Sequence, residues 1–382
     1  MRILFGSWPA YGHLLPMVPL IRAAQQAGHE VIVSSGGDLT ALIERLGVRA
    51  HRSGLTLAQS YARMPDHSTV SELPPDEQPT FAARELFGAG AVHRARDVLD
   101  LLRTWRPDVV VHDTLELGTP TAAVVHGIPH VTHGYGPMVP DTPYFATAIG
   151  SAISGAGLPD PIPAVFAAPY LDVCPPSLRG TEPYPWPVVH PLRPSPGEVE
   201  PHLGDRIDFS TFSRPDTVYV TLGTIMNQAP EVFRAVIDGC LRHPVDVVVT
   251  TGPGFDPDQL GPLSPAVHTA AFLPQAAVLP HCRAVVSHAG AGTMLGALCH
   301  GLPQLCLPQG TDQPSNTAAL LPTGAALALE PEEITADAVA GALGRLLHEP
   351  SFRRAAGRLR TEIDRMPTAV AVLGTISAGP TP

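Results

Sequence analysis

The sequence predicts an α/β protein with two doubly wound domains, because of its length and because the same order of strand, turn and helix occurs in both halves. The chain has 382 residues, more than one hydrophobic core usually serves, and 44% of them are hydrophobic. Short apolar runs end in glycine and lead into helical periodicity, which is typical of parallel sheets covered by helices. We therefore expect domains at 1–200 and 216–365, a linker at 201–215 and a tail at 366–382.

The charge and the cysteines limit the partners of the chain. The formal charge is −11, all 24 basic residues are arginine, and no basic run occurs. A nucleic-acid backbone is bound by clustered lysine or arginine, so nucleic acid is not expected as a partner. The cysteines show no C-x-x-C spacing, which predicts reduced thiols and neither a zinc site nor a disulfide framework at Cys174, Cys240, Cys282, Cys299 and Cys306.

The N-terminus is interpreted as a first strand and loop, although MRILFGSWPAYGHLLP has some features of a signal sequence. Gly6, Pro9 and Gly12 interrupt its apolar run, and no small-residue cleavage site follows. A membrane-spanning run of about eighteen apolar residues is missing from the sequence. We therefore expect a cytoplasmic protein with no membrane partner.

The first predicted strand, Arg2 to Phe5, ends in a loop from Gly6 to Gly12. Open α/β sheets bind their ligands at the carboxyl ends of strands, so this loop is a candidate binding element. Apolar residues at helical spacing follow from Leu14. His13 lies where the loop meets this helix. It can cap the helix, or it can act as a general base, because an imidazole that titrates near about pH 6.5 is largely neutral at pH 7.

Asp113 is the second candidate in the first domain. It follows the strand predicted from Asp108 to Val111, so it also lies at the carboxyl end of a strand. A carboxylate at this position can orient a histidine base, or it can cap the helix that follows. His112 and Glu116 are weaker candidates for the orienting role.

The second half begins after nine prolines between Pro175 and Pro201, which predict a semi-rigid connection. Val218 to Leu222 is the next strand, and Thr224 in the turn after it can cap the following helix. The run Asp256-Pro257-Asp258 has the spacing of a D-x-D metal motif, but its turn-rich surroundings favour a surface turn. No metal is predicted. Amphipathic helices are expected at 334–347 and 352–363.

The stretch from 283 to 316 contains the most specific pattern of the chain. An apolar strand ends at His288, Gly290 and Gly292 form a sharp turn, and a helix begins near Thr293. The free N–H groups at the start of such a helix suit a phosphate, and His288 adds a side-chain donor.

Three interpretations compete for this stretch. It can be an ordinary strand, turn and helix packed by glycines, because short glycine patterns are common. The run from Gly290 to Gly296, with Asp312 about twenty residues on, also approximates a nicotinamide-cofactor fingerprint. Asp312 falls in a loop, however, and not at the end of a strand. The third interpretation is a sugar-nucleotide site.

The sequence HAGAGT, followed by GLPQLCLPQGTDQPSNTAAL, resembles the donor-binding signature of the family 1 glycosyltransferases. These enzymes transfer sugar from a nucleotide diphosphate and have the GT-B fold, in which two Rossmann-like domains face each other across a cleft. The resemblance implies that diphosphate and sugar are held by His288, Gly290, Gly292, Thr293, Asp312 and Gln313. Many relatives have two consecutive histidines; the first is Ser287 here, and we assign it no role.

Other parts of the chain resemble the same family. The run FLPQ is similar to its W-x-P-Q element, which implies that Phe272 stacks on the nucleotide base and that Gln275 lies by the ribose or base. The Leu-Gly-Thr turn implies a phosphate contact by Thr224. The G-H-x-x-P element after the first strand resembles the catalytic loop of the family, which implies His13 as the general base and Asp113 as its orienting partner.

The resemblance also extends to the acceptor side. It implies that Trp8, the irregular region from 55 to 95 and the segment from His133 to Tyr170 line the acceptor pocket. A final helix near 369–375 is expected to cross back onto the first domain.

The activity implied by the resemblance is metal-independent, inverting glycosyl transfer without a resident cofactor. The donor is a nucleotide sugar, with dTDP favoured over UDP, and the acceptor is a small molecule. Similar actinomycete proteins attach deoxysugars to natural products. A GT-B nucleotide-sugar epimerase and a non-catalytic auxiliary partner of a transferase stay open as alternatives. The acceptor, the donor sugar, O- or C-linkage and homodimer formation also stay open at this point.

Overall fold

The computed structural model of the chain describes residues 1–64, 80–81, 83–137, 142–180, 183–195, 207–223, 229–252 and 254–377. These residues form two parallel sheets covered by helices, which confirms the predicted α/β class. The strands are apolar along most of their length and are buried, as expected for parallel strands that have helices on both faces.

The first sheet has seven parallel strands in the order β3, β2, β1, β4, β5, β6, β7. Their bounds are β1 (Arg2–Gly6), β2 (Glu30–Ser35), β3 (Arg49–Arg52), β4 (Val109–Asp113), β5 (His130–His133), β6 (Tyr170–Asp172) and β7 (Val189–Pro191). The strand order reverses between β1 and β4. Ligands of doubly wound sheets bind beyond the carboxyl ends of the strands at such a reversal, so the loops after β1 and β4 are the expected ligand-binding elements.

Helices cover both faces of the first sheet. They are α1 (Tyr11–Leu14), α2 (Val18–Gln26), α3 (Thr40–Arg45), α4 (Leu57–Tyr61), α5 (Ala89–Thr104), α6 (Gly118–His126), α7 (Thr142–Gly155) and α8 (Ile162–Ala167), with a π-helical turn at Ala83–Gly88. The helix predicted from Leu14 is divided in two. Pro16 lies in a 3-10 turn, Leu15–Met17, between α1 and α2, because proline has no N–H to continue an α-helical ladder.

The second sheet has six parallel strands in the order β10, β9, β8, β11, β12, β13. The strands are β8 (Asp216–Thr221), β9 (Val245–Thr250), β10 (Val267–Ala270), β11 (Ala284–Ser287), β12 (Gln304–Cys306) and β13 (Ala326–Ala328). The helices are α9 (Pro230–Cys240), α10 (Gln275–Val278), α11 (Ala291–Cys299), α12 (Gln313–Leu320), α13 (Ala336–His348) and α14 (Pro350–Arg365). Here the order reverses between β8 and β11, so the glycine turn after β11 lies at the second reversal point.

The described residues divide into two compact units. The first consists of Met1–Val173, Thr181–Leu192 and Pro367–Pro382, and the second of Cys174–Gly180 and Arg193–Met366. The division thus falls a few residues before the boundary predicted at 200. The last helix, α15 (Ala369–Ser377), belongs to the first unit, where it packs against α2 and buries Val372 and Leu373.

The described part of the predicted linker is packed on the second unit. The ring of Phe209 stacks on His281 with 3.9 Å between centroids, and the ring of Phe212 stacks on His268 at 4.0 Å. Residues 207–215 therefore belong to the second unit and are not a free connection, because two aromatic side chains anchor them. No helix in the described part of the chain is long and apolar enough to span a membrane.

A buried ion pair lies beside the carboxyl end of β1. The guanidinium of Arg94, in α5, is 3.4 Å from Oε1 of Glu116, and each residue is only 1% exposed. The Glu116 carboxylate also accepts the N–H groups of Gly118 at 2.7 Å and Thr119 at 3.1 Å, at the start of α6. Glu116 is therefore fixed by α5 and by the helix that it caps.

We expect Arg94→Met to lower the free energy of unfolding by about 3–5 kcal/mol, because it leaves the Glu116 carboxylate buried without a cation. Urea unfolding measures this loss. Arg103→Met is the matched control in the same helix: Arg103 pairs with Asp100 at the surface, where their side chains are 75% and 71% exposed, so its removal should leave stability nearly unchanged. Equal losses in the two variants would contradict the expectation.

Candidate active site

The first candidate site joins Asp113, the last residue of β4, to His13 in α1. Nδ1 of His13 lies 3.0 Å from Oδ1 of Asp113. The carboxylate also accepts the backbone N–H of Trp8 at 2.6 Å and that of Leu115 at 2.9 Å. Asp113 therefore orients the imidazole and does not cap α6, which is capped by Glu116. His13 does not cap a helix either, because it lies inside α1.

The Asp113 carboxylate is ionised in this environment. Burial alone would raise its pKa, but the charge and the hydrogen bond of His13, with the N–H groups of Trp8 and Leu115, lower the pKa below its ordinary value. An ionised Asp113 holds the Nδ1 proton of His13 and leaves Nε2 as the proton acceptor. Nε2 has no hydrogen-bond partner among the described residues, and 13% of the His13 side chain is exposed.

Aromatic rings surround the His13 imidazole. The centroid of Tyr135 is 4.7 Å from that of His13, and the centroid of Trp8 is 5.2 Å from it. Phe87, in the π-helical turn, lies 4.9 Å from Trp8. Trp8, which was predicted to line the acceptor pocket, is thus next to the candidate base, but it is only 3% exposed, so most of its surface is already covered by protein.

His133 is a correction to the sequence analysis, which placed it in the acceptor pocket. The residue is fully buried, and Nδ1 donates to the carbonyl oxygen of Gly134 at 2.6 Å. Burial lowers the pKa of His133 to about 4, so the ring is neutral at pH 7. A side chain without exposed surface cannot contact an acceptor in this conformation.

His112 is not a substitute for the orienting carboxylate. Its ring is fully buried between the carbonyl oxygen of Asp113, 2.9 Å from Nδ1, and the hydroxyl of Thr132, 3.2 Å from Nε2. Burial lowers the pKa of His112 to about 3. Both ring nitrogens are therefore occupied, and the ring serves the packing of the sheet.

The second candidate site is the turn between β11 and α11. His288 follows β11, and its Nε2 lies in a gap between two glycines: a Cβ would come within 2.6 Å of Nε2 at Gly223 and within 2.4 Å at Gly290. Gly223 also has a φ of +84°, which favours glycine. The glycines at these two positions therefore make room for the imidazole.

His288 presents a neutral imidazole to this turn. Burial lowers its pKa, and the charge of Asp312 and the carbonyl oxygen of Thr221 oppose the shift only in part. Nδ1 is buried without a hydrogen-bond partner. With its proton on Nε2, beside the glycine turn, the neutral imidazole has one N–H that can face a ligand there. His288 can therefore donate one hydrogen bond to an anion there.

The start of α11 is open for an anion. Gly290 is the N-cap residue, and no side chain caps the helix. A Cβ at Gly292 would meet no atom within 4 Å, so there is free space beside the first turn. The hydroxyl of Thr293 accepts Nε2 of Gln275 at 2.8 Å, which brings together two residues that were predicted separately. The exposed N–H groups and the helix dipole suit a diphosphate.

The loop before α12 holds Asp312 and Gln313. Thr311 has a φ of +58°, in the left-handed region, and its hydroxyl donates to Oδ1 of Asp312 at 3.0 Å. Gln313 is 5% exposed, and its Oε1 accepts the N–H groups of Gln309 at 2.7 Å and Gly310 at 3.3 Å. Asp312 is thus the partly exposed member of the pair, whereas the oxygen of Gln313 shapes the loop.

Two residues near this site were not assigned by the sequence analysis. Ser287 is buried, and its hydroxyl accepts the N–H of Ala289 at 3.2 Å. Asn316 donates to Asp312 and to the carbonyl oxygen of Ala289. The signal that was available for Asn316 is its spacing: it follows Asp312 by four residues, which puts the two side chains on one face at the start of α12.

The structure describes only some of the remaining predicted residues. Thr224 lies outside the described residues. Phe272 is half-buried in the loop after β10. Among the residues that the structure describes, no three His, Cys, Asp or Glu side chains lie close enough together to hold a metal ion. Asp256 accepts the N–H of Asp258 at 3.0 Å, as in the predicted surface turn.

The topology excludes the nicotinamide-cofactor interpretation. In that fingerprint the glycine turn follows the first strand of its sheet, and the acid lies at the end of the next strand. Here the glycine turn follows β11, the fourth strand of the second unit in chain order, and Asp312 begins a helix. The site therefore fits a phosphate-containing ligand of another kind.

The first Rossmann-like sheet carries a His–Asp pair at its reversal point. The second carries a glycine turn at its reversal point, where the uncapped start of a helix suits an anion. These features define a GT-B glycosyltransferase. Comparison with known proteins agrees. The family description "Erythromycin biosynthesis protein CIII-like" matches residues 22–183 with its N-terminal domain and residues 235–378 with its C-terminal domain. The L-demethylnoviosyl transferase of Streptomyces niveus is 30% identical over 387 residues, covering 99% of this chain and 98% of the relative. The chain belongs to the family 1 glycosyltransferases of actinomycetes.

Two further comparisons agree in length and fold. The aclacinomycin-T 2-deoxy-L-fucose transferase of Streptomyces galilaeus is 28% identical, over 96% of this chain and 93% of the relative. The crystal structure of the glycosyltransferase VinC in complex with dTDP superposes with a TM-score of 0.80 at 26% identity, over 99% of each chain. The protein is therefore a glycosyltransferase along its whole length, as the sequence signature indicated.

Proposed function

We propose that the protein is a metal-independent, inverting glycosyltransferase that moves a deoxysugar from a dTDP donor to a hydroxyl group of a small natural-product acceptor. The observation that carries this proposal is the His13–Asp113 pair, in which an ionised, buried carboxylate orients an imidazole whose Nε2 has no partner among the described residues. The dTDP complex of VinC and the 2-deoxy-L-fucose donor named for the Streptomyces galilaeus relative support the choice of donor.

Each reacting group has one role in the proposed reaction. The acceptor hydroxyl gives its proton to Nε2 of His13, and its oxygen forms a bond to the anomeric carbon of the sugar from the face opposite the nucleotide. The bond between that carbon and the diphosphate oxygen breaks, and dTDP leaves. Asp113 stabilises the imidazolium that forms, because its Oδ1 is 3.0 Å from Nδ1 of the ring.

The leaving diphosphate gains negative charge, and the second unit supplies the groups that bind it. These groups are the free N–H groups at the start of α11 and the Nε2 proton of His288. The chain has no lysine, and His288 is neutral, so the helix dipole has the larger part in matching the charge. Asp312 is the group that accepts hydrogen bonds from the sugar hydroxyls.

The nucleotide preference is tested by thermal unfolding in the presence of dTDP, UDP and GDP. A ligand that binds only the folded protein raises Tm by mass action, and a concentration of about 100 times Kd stabilises by roughly 2.7 kcal/mol. We expect the largest rise with dTDP. A larger rise with UDP would contradict the donor assignment, and no rise with any of the three would contradict the proposed site.

The alternative activities are tested by incubation with dTDP-glucose alone. A transferase leaves the donor intact until an acceptor is added, whereas an epimerase converts it without one. Isomerisation of the sugar in the absence of acceptor, detected by chromatography, would favour the epimerase. A non-catalytic auxiliary protein would bind no donor, and calorimetry with dTDP-glucose distinguishes that case.

A further inference from the structure

Asn316 connects the phosphate turn to the sugar loop of the second unit. It lies in α12 and is 1% exposed. Its Nδ2 donates to Oδ2 of Asp312 at 2.8 Å and to the carbonyl oxygen of Ala289 at 3.0 Å. A side-chain amide nitrogen carries two hydrogens, so both are used, one on each element.

The bond to Ala289 fixes a strained peptide. Ala289 has a φ of +62°, in the left-handed region, which is unfavourable for a residue with a Cβ. Its N–H is held by the hydroxyl of Ser287 and its carbonyl oxygen by Asn316. The next residue, Gly290, is the N-cap of α11. The conformation of this peptide therefore sets the direction of the N–H groups that face the diphosphate.

The bond to Asp312 fixes the carboxylate that faces the sugar. Oδ2 is held by Asn316, and Oδ1 accepts the hydroxyl of Thr311, which also has left-handed backbone. A carboxylate held through both oxygens loses less freedom when it binds a sugar hydroxyl than a mobile one would. The buried Asn316 supplies one of the two hydrogen bonds that hold the carboxylate.

The amide is not explained by packing alone. Its Oδ1 is buried and has no hydrogen-bond partner, which is unfavourable for folding. An apolar side chain would avoid that cost but would lose both Nδ2 hydrogen bonds. The function of the amide at this position therefore lies in its two donated bonds.

We propose that Asn316 is a positioning residue for the donor, which aligns the phosphate turn with Asp312 so that diphosphate and sugar are bound together. The inference rests on the proposed donor-binding role of these two elements. It assigns to Asn316 no contact with the substrate.

The test is calorimetric titration of Asn316→Ala with dTDP and with dTDP-glucose. We expect the affinity for dTDP-glucose to fall about 10- to 100-fold, the range for loss of hydrogen bonds to charged groups. The affinity for dTDP should fall by a smaller factor, because only the phosphate turn contributes to it. Asn316→Asp keeps the shape and loses both donated hydrogens, so it should weaken dTDP-glucose at least as much.

Gln304→Ala is the matched control. Gln304 is also a fully buried amide of the second unit; its nitrogen donates to the carbonyl oxygen of Met294 at 3.1 Å, and its oxygen has no partner. The control should lower Tm and leave both affinities unchanged. If Asn316→Ala and Asn316→Asp lower Tm in the same way and leave both affinities unchanged, the proposal is wrong.

A double-mutant cycle with Asp312→Asn separates the effect of the hydrogen bond from Asn316 to Asp312 from that of its hydrogen bond to Ala289. In the Asp312→Asn background, Asn316→Ala should have a smaller effect on dTDP-glucose, because the carboxylate has already been removed. Its effect on dTDP should persist. Additive effects on dTDP-glucose would contradict coupling through Asp312. If the unaltered protein bound neither dTDP nor dTDP-glucose, the proposed function would fail instead, so the two failures are distinguishable.

Discussion

His13→Ala is expected to lower kcat for sugar transfer by about 10²- to 10⁴-fold, the contribution of a positioned general base. The physical reason is that Nε2 is the group available to take the acceptor proton, since Asp113 holds Nδ1 at 3.0 Å. The measurement is the initial rate of transfer from a dTDP-sugar to a panel of small phenols and alcohols. The KM for the donor should change little, because the proposed donor-binding residues belong to the second unit.

The control for this prediction is the binding of dTDP. The Tm rise caused by dTDP should be the same in His13→Ala as in the unaltered protein, which shows that the fold and the nucleotide site are intact. His126→Ala, at the end of α6 in the same unit, is the matched histidine variant and should keep full activity. Full transfer activity in His13→Ala would show that another group removes the proton.

Asp113→Asn tests the orienting role with the shape of the side chain preserved. An amide cannot stabilise the imidazolium as a carboxylate does, so kcat should fall by a factor comparable to that of the His13 variant. Since the two residues act as one unit, the double variant should be little worse than either single variant. Multiplied losses in the double variant would mean that the two side chains contribute independently.

The local patterns of the sequence were sufficient for several of the parallel strands, but not for the order of the strands in the two sheets. Parallel strands are short apolar runs, and their carboxyl ends meet at one edge of a sheet. For this reason His13 and Asp113 could each be placed at the carboxyl end of a strand, whereas their pairing across 100 positions was implied by the family resemblance. The strand before His288, the glycine turn and α11 follow one another directly in the chain, so the start of α11 was also predictable.

Side-chain direction could not be predicted where it depends on distant partners. His133 was placed in the acceptor pocket by the family resemblance, but its ring is fully buried. Residues 201–215 were predicted only as a linker, and the sequence did not show that Phe209 and Phe212 stack on histidines more than fifty positions away. Such contacts leave no local periodicity in the sequence, because each depends on a single long-range pair.

The free energy of unfolding is expected to fall steeply as the pH drops below about 6.5, because two fully buried histidines are neutral in the folded protein. Burial, aided by the nearby His130, lowers the pKa of His112 to about 3, and burial lowers that of His133 to about 4. Between these values and about 6.5 the unfolded chain binds protons that the folded protein excludes. The stabilisation is therefore complete above this window and is lost as the pH falls through it.

Each of these histidines contributes up to about 1.4 kcal/mol per pH unit, so the pair removes at most roughly 5 kcal/mol between about pH 6.5 and pH 4.5. Urea unfolding at a series of pH values measures the slope. His133→Gln is neutral throughout and should flatten the slope by about 1.4 kcal/mol per unit. His348→Gln, an exposed ring at the end of α13, should leave it unchanged. An unchanged slope in His133→Gln would mean that this ring is accessible in the folded protein, and it would then be a candidate for the acceptor pocket again.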